Sequence, residues 1–123
     1  MKQPKFLVID DDPASLALVK AALSQGKYEN IDAFLHSPEG QAAYLETDYD
    51  VLITDLRMPV LSGFDIISEF KSRGKSNISI IVLTAQAEAD SAQRALEMGA
   101  DKVFFKPYKV AELLQEVERL LAV

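Results

Sequence analysis

Short apolar runs and helix-spaced segments alternate along this chain from end to end, and that alternation admits few folds. Runs rich in Val, Ile, Leu and Phe at Phe6–Ile9, Val51–Thr54, Ile78–Leu83 and Val103–Phe105 are each bounded by charged or turn residues. Apolar runs of this length are the signature of strands buried on both faces. A fifth candidate, Tyr28–Phe34, mixes in polar residues, as an edge strand with a wetter face does.

Helical spacing fills the gaps, over Pro13–Gln25, Ser37–Glu46, Ser62–Arg73, Ala87–Met98 and Lys109–Leu121. The last is the most regular: Val110, Leu113, Leu114, Val117, Leu120 and Leu121 share one stripe, with charged and amide residues on the rest. Ser37-Pro38-Glu39 reads as an N-cap followed by a proline at the first helical position, and Asp12-Pro13 reads the same way. Gly74 and Gly99 stand where helices should stop. Strand then helix, repeated, predicts an α/β domain with a parallel sheet covered on both faces. Its 123 residues suit one domain, spanning 1–123, and no repeat or linker divides them.

A parallel sheet brings the C-terminal ends of its strands to one edge, where open α/β sheets bind ligands. Asp10, Asp11 and Asp12 follow the first strand, Asp55 the third, Thr84 the fourth and Lys106 the fifth. Taken singly, Asp12 is a turn and capping residue, Thr84 a strand end and Lys106 a solvated charge. Together they gather carboxylates, a hydroxyl and an ammonium in one crevice. Crowded carboxylates repel, so such a site shifts their proton affinities or recruits a cation. Oxygen-only ligands favour a hard ion, and Mg²⁺ suits a site offering one or two carboxylates plus a phosphate oxygen. Asp55, ending a central strand, is the best nucleophile, since a carboxylate forms an acyl phosphate when the incoming group is clamped and neutralised.

The net charge of -6 and a pI near 4.7 argue against direct binding of nucleic acid or anionic membrane. There is no cysteine, and Lys2 and Lys5 precede an apolar run too short for a signal peptide. No stretch reaches membrane-spanning length. A cytoplasmic setting is the default expectation. The single histidine, His36, reads as a surface loop residue, and Met58 and Met98 as packing.

Four motifs in order carry a resemblance: Phe6-Leu7-Val8-Ile9-Asp10-Asp11-Asp12-Pro13, then Asp55-Leu56-Arg57-Met58-Pro59 with Gly63, then Val82-Leu83-Thr84-Ala85, then Phe104-Phe105-Lys106-Pro107-Tyr108. Along essentially its whole length the chain resembles the receiver domain of two-component response regulators. The resemblance implies a flavodoxin-like, doubly wound five-stranded parallel sheet in the order 2-1-3-4-5 with five flanking helices. It implies Mg²⁺ held by Asp10, Asp11, Asp55 and the backbone carbonyl of Arg57. Asp55 would take a phosphoryl group from phosphohistidine on a sensor histidine kinase or histidine phosphotransfer protein. Thr84 and Lys106 would contact the phosphoryl oxygens, and a downstream protein target or output domain would read the change. A cis bond at Lys106-Pro107 is implied as well.

One position departs from that pattern. Three residues before Lys106, where the family commonly carries a switching Tyr or Phe, this chain has Val103. Arg57 and Gln86 occupy positions that tune phosphoryl lifetime in the family. Two other readings stand beside the receiver: a pseudo-receiver that docks partners without phosphorylation, and a haloacid-dehalogenase-type phosphohydrolase using the Asp-x-Asp within Asp10–Asp12. As given, the chain ends with the fifth helix and shows no output domain. Exposed residues of the last helix and strand are the candidate surface for a homodimer.

Overall fold

The computed structural model describes residues 3–74 and 77–122; Lys2 lies outside them. Five strands and five helices alternate: β1 (Phe6–Ile9), α1 (Pro13–Gln25), β2 (Ile31–Phe34), α2 (Ser37–Glu46), β3 (Val51–Thr54), α3 (Gly63–Ser72), β4 (Ser79–Ala85), α4 (Ala89–Met98), β5 (Lys102–Lys106) and α5 (Val110–Leu121). A single 3-10 turn, Gln86–Glu88, links β4 to α4. All strand pairs are parallel, in the order β2-β1-β3-β4-β5. This is the flavodoxin-like arrangement expected, with the partly exposed β2 at an edge.

Alternation of side chains across each strand divides the core in two. One face gathers Leu7, Ile9, Leu52, Ile80 and Val82 with Phe64, Ile67 and Phe70. The other gathers Phe6, Val8, Val51, Ile53, Ile81 and Leu83 with Leu16, Val19, Leu113 and Val117. In α5 the stripe read from the sequence supplies the second face: Leu113 and Val117 are fully buried and Val110, Leu120 and Leu121 pack beside them. On β5, Val103 packs toward the first core and Phe104 toward the second.

Helix ends follow local chemistry. Asp12 caps α1 by accepting from the Ala14 amide, and Ser62 and Asp65 form a reciprocal capping box on α3. Gly74 and Gly99 both take positive φ, at 68° and 123°, which ends their helices without the penalty a Cβ would bring. Ser37 corrects the sequence reading. Its backbone is already helical, His36 holds the capping position with no side-chain bond, and the Ser37 hydroxyl is turned inward to another task. Strand limits also move at β2, β4 and β5, the last widening by one residue at each end to Lys102–Lys106. β2 begins at Ile31 because Lys27 turns the chain with φ 67° and the Tyr28 ring packs tilted against Phe6 with centroids 4.9 Å apart. β4 runs on to Ala85, carrying Thr84 within the sheet.

Candidate functional site

Strand register assembles the site. Ile9 lies opposite Thr54, so the residues that follow them, Asp10 and Asp55, leave neighbouring strands side by side. Thr84 is opposite Phe105 and Ala85 opposite Lys106, which brings the hydroxyl and the ammonium to the same edge. The Asp55 amide bonds to the Ile9 carbonyl at 3.2 Å, extending the ladder to the acidic pair itself.

The Lys106 ammonium is the centre of this arrangement. Its Nζ donates to Asp10 Oδ2 at 2.8 Å and to Asp55 Oδ2 at 2.9 Å. The remaining oxygens are fixed by backbone: Asp10 Oδ1 accepts from the Asp12 amide at 3.0 Å, and Asp55 Oδ1 from the Leu56 amide at 2.6 Å. Asp10 is 2% exposed, and burial pushes its carboxyl above the usual range despite the opposing pull of Lys106 and the Asp12 amide. Burial alone would lower Lys106. The two carboxylates it bridges outweigh that and leave it above its ordinary value, hence charged. Asp12, by contrast, is held below the usual range, first by the Ser15 hydroxyl, in keeping with a capping role.

Asp10, Asp11 and Asp55 each offer an oxygen, and these atoms lie within 4.8 Å of one another. The donors are carboxylates alone, the set a hard divalent cation takes. Asp11 is exposed while Asp10 is buried, so the cluster has one open side. Thr84 Oγ1 adds a second indication. It is buried and has no hydrogen-bond partner among the described residues, an arrangement that costs free energy unless a ligand completes it. The structure thus places Asp10, Asp11, Asp55 and Lys106 in one cluster, with Thr84 on the adjoining strand end.

The loop from Asp55 to α3 frames the opening. Gly63 lies so close to Leu56 that a Cβ would meet Leu56 Cα at 3.0 Å and also press on the Asp55 carbonyl; its amide bonds to the Leu56 carbonyl at 2.9 Å. Only glycine lets α3 start directly against the end of β3. Between them Val60, 82% exposed, takes φ 72°, a region that β-branched residues rarely enter. The Leu61 amide bonds back to the Pro59 carbonyl at 2.9 Å, making Val60 the middle of a γ-turn. The buried Ser37 hydroxyl secures both flanks, donating to the Pro59 carbonyl at 2.9 Å and accepting from the Leu61 amide at 3.1 Å. Sequence reading missed this role, because a serine before Pro-Glu signals a cap and nothing local points to a loop more than twenty residues away.

Arg57 contributes its side chain elsewhere. Its Nε donates to Glu88 Oε2 at 3.0 Å and its Nη2 to Ser91 Oγ at 3.2 Å, crossing from the loop after β3 to the start of α4. The peptide bond Lys106–Pro107 is cis. Beyond it, Tyr108 packs in the second core, its hydroxyl buried and without a partner among the described residues.

The family model of the response regulator receiver domain matches residues 6–118. Regulatory protein VanRB of Enterococcus faecalis is 31% identical over 117 residues, covering 95% of this chain and 52% of its own length. A response regulator receiver domain protein from Clostridium thermocellum superimposes with a TM-score of 0.86 at 31% identity, covering 97% of this chain and 94% of the other. The receiver domain of sensor histidine kinase PA1611 from Pseudomonas aeruginosa has a TM-score of 0.84 at 26% identity, covering 99% of this chain and 100% of the other; that protein holds a magnesium ion in its active-site cleft. This chain spans about half the length of the curated relatives it matches. Several of those relatives are named as transcriptional regulators, one as DNA-binding, so the acidic charge argues only about this domain's own surface. The phosphohydrolase reading is not favoured by these matches. Among the described residues no helix is long and apolar enough to cross a membrane.

Proposed function

This chain belongs to the response regulator receiver domain family, and from that premise we propose that it is a phosphoacceptor that takes a phosphoryl group on Asp55. The observation that carries the reading is the Asp10–Lys106–Asp55 bridge, in which one ammonium holds two strand-end carboxylates beside the unpartnered Thr84 hydroxyl. Lys106 and the Leu56 amide fix the Asp55 carboxylate in one orientation, which presents a nucleophilic oxygen without a search through rotamers. In the transfer, the P–N bond of a phosphohistidine breaks and a P–O bond to Asp55 forms, while the released imidazole takes its proton from solvent.

The new group exchanges one carboxylate charge for about two on phosphoryl oxygens. Lys106 then pairs with a phosphoryl oxygen, and the Thr84 hydroxyl donates to another, ending its isolation. The carboxylates of Asp10, Asp11 and Asp55, with the Arg57 carbonyl, would hold Mg²⁺. When bound, that ion neutralises charge on the phosphoryl oxygens during transfer. The donor is a sensor histidine kinase or a histidine phosphotransfer protein. The 123 residues act as a single receiver domain whose altered surface is read by an output domain or a downstream protein. Its role is signalling, and it assists its own phosphorylation and dephosphorylation rather than turning over an outside substrate.

Intact-mass measurement after incubation with phosphoramidate tests this, with and without Mg²⁺, for wild type and Asp55→Asn. One metal-dependent phosphoryl addition in wild type alone is the expected result. No addition in either would leave a docking module. Turnover of donor without an adduct requiring Asp55 would point back to a phosphohydrolase.

A further inference from the structure

Phosphorylation must be relayed outward from Asp55, and Val103, packed in the first core, has no ring to move. The polar contact that runs from the phosphoacceptor loop toward α4 is the Arg57 clasp. Arg57 stands two residues beyond Asp55, and its guanidinium is bonded to Glu88 and Ser91 rather than to the acidic cluster. Its side chain is 67% exposed, so solvent screens the ion pair with Glu88 and leaves it weak and exchangeable.

The far end of the clasp is lightly anchored. α4 buries only Ala92 and Ala95, and its start, like those of α2 and α5, has no side-chain cap. Glu88 occupies the capping position of α4, but its carboxylate is engaged with the Ser91 hydroxyl and Arg57 rather than with a backbone amide. A helix start that lacks a cap and buries little apolar surface opens at low cost.

We infer that Glu88 and Ser91 are positioning residues that hold the Arg57 guanidinium at the start of α4 until a phosphoryl group on Asp55 draws it away, so that Arg57 carries phosphorylation to α4. The inference rests on the phosphoacceptor reading of Asp55. A phosphoryl group offers Arg57 roughly twice the charge of Glu88 and several strong acceptor oxygens, so the two sites compete unequally for one guanidinium. Transfer of Arg57 leaves Glu88 and Ser91 to each other, and the turn Gln86–Glu88 with the first turn of α4 loses its tether to the phosphoacceptor loop.

Nuclear magnetic resonance of the Arg57 Nε–H, assigned by its loss in Arg57→Lys, tests the exchange. Wild type and Glu88→Gln/Ser91→Ala are compared before and during saturation with phosphoramidate and Mg²⁺, and the mass of each sample reports its phosphoryl content. In wild type the Nε–H should change its chemical shift and exchange more slowly with solvent on phosphorylation. In the double variant it should be lost to solvent exchange before phosphorylation and become protected afterwards, a result that a merely structural clasp would not give. A wild-type Nε–H whose shift ignores phosphorylation, or one still unprotected in the phosphorylated double variant, overturns the relay while leaving the phosphoacceptor intact. Absence of any mass increase in wild type overturns the phosphoacceptor reading, and the relay with it.

Discussion

Replacing Lys106 with methionine keeps most of the side-chain volume and removes the cation between two acids. Its ammonium touches Asp10 and Asp55 at 2.8 and 2.9 Å, and the side chains of Lys106 and Asp10 are 23% and 3% exposed, so solvent can replace little of what is lost. With their oxygens within 4.8 Å, two uncompensated carboxylates repel by about 3 kcal/mol at an effective dielectric constant near 20. That agrees with the roughly 3–5 kcal/mol lost when one partner of a buried ion pair is removed. Urea unfolding without divalent metal should therefore show Lys106→Met less stable by about 3 kcal/mol. Added Mg²⁺ should return more stability to the variant than to wild type, since no ammonium competes for the same oxygens; saturation at about a hundred times Kd is worth about 2.7 kcal/mol. A loss below about 1 kcal/mol, with identical Mg²⁺ dependence in the two proteins, would refute the view that Lys106 balances this acidic pair.

Val60→Asn should stabilise the fold by about 0.5–1 kcal/mol, because asparagine tolerates positive φ and the exposed valine surrenders little packing; an unchanged or lowered Tm would argue against strain at this turn. The four tyrosines, Tyr28, Tyr44, Tyr49 and Tyr108, should titrate late. Burial is the first cause for all of them, joined by Glu69 beside Tyr44 and Asp32 beside Tyr49, and each phenol is raised above its ordinary value of 10.0. The folded state holds these protons more tightly than the unfolded chain, so their contribution is complete below pH 10.0 and lost as pH rises through the folded values. Ultraviolet absorbance should show phenolate appearing with unfolding, and a substantial rise near pH 10.0 in folded protein would contradict the assignment.

The fold was legible wherever one local pattern served one purpose. Val51–Ile53 and the stripe on α5 could be read directly because periodicity and burial coincide there. The acids, the hydroxyl and the lysine at the strand ends were legible as a set because a parallel sheet sends all those ends to one edge. Tyr28 was drawn into a strand because an aromatic residue suits either a ladder or a ring contact, and the tilted contact with Phe6 prevailed. Ser37 was read as a cap because its neighbours Pro38 and Glu39 carry the signal of a helix start, while its hydroxyl answers to Pro59 and Leu61, remote in sequence. The Arg57 clasp was hidden for the same reason. Glu88 and Ser91 look like ordinary surface residues until β3 and β4 are laid side by side.

The Ser37 staple also divides the loop after Asp55 into two mechanical halves. Pro59 to Leu61 is bolted to α2 through a buried hydroxyl and closed on itself by the γ-turn, so it acts as an anvil. Leu56 to Met58 is bounded by that anvil on one side and by the end of β3 on the other, held inward by the buried Leu56 side chain and the Gly63 amide and toward α4 by the arginine. On the relay inferred above, a change arising at Asp55 meets the Ser37 bonds on the α2 side and the exposed Arg57 ion pair on the α4 side. Under that inference the direction of the signal follows stiffness, with the less tightly held side of the crevice the one that yields.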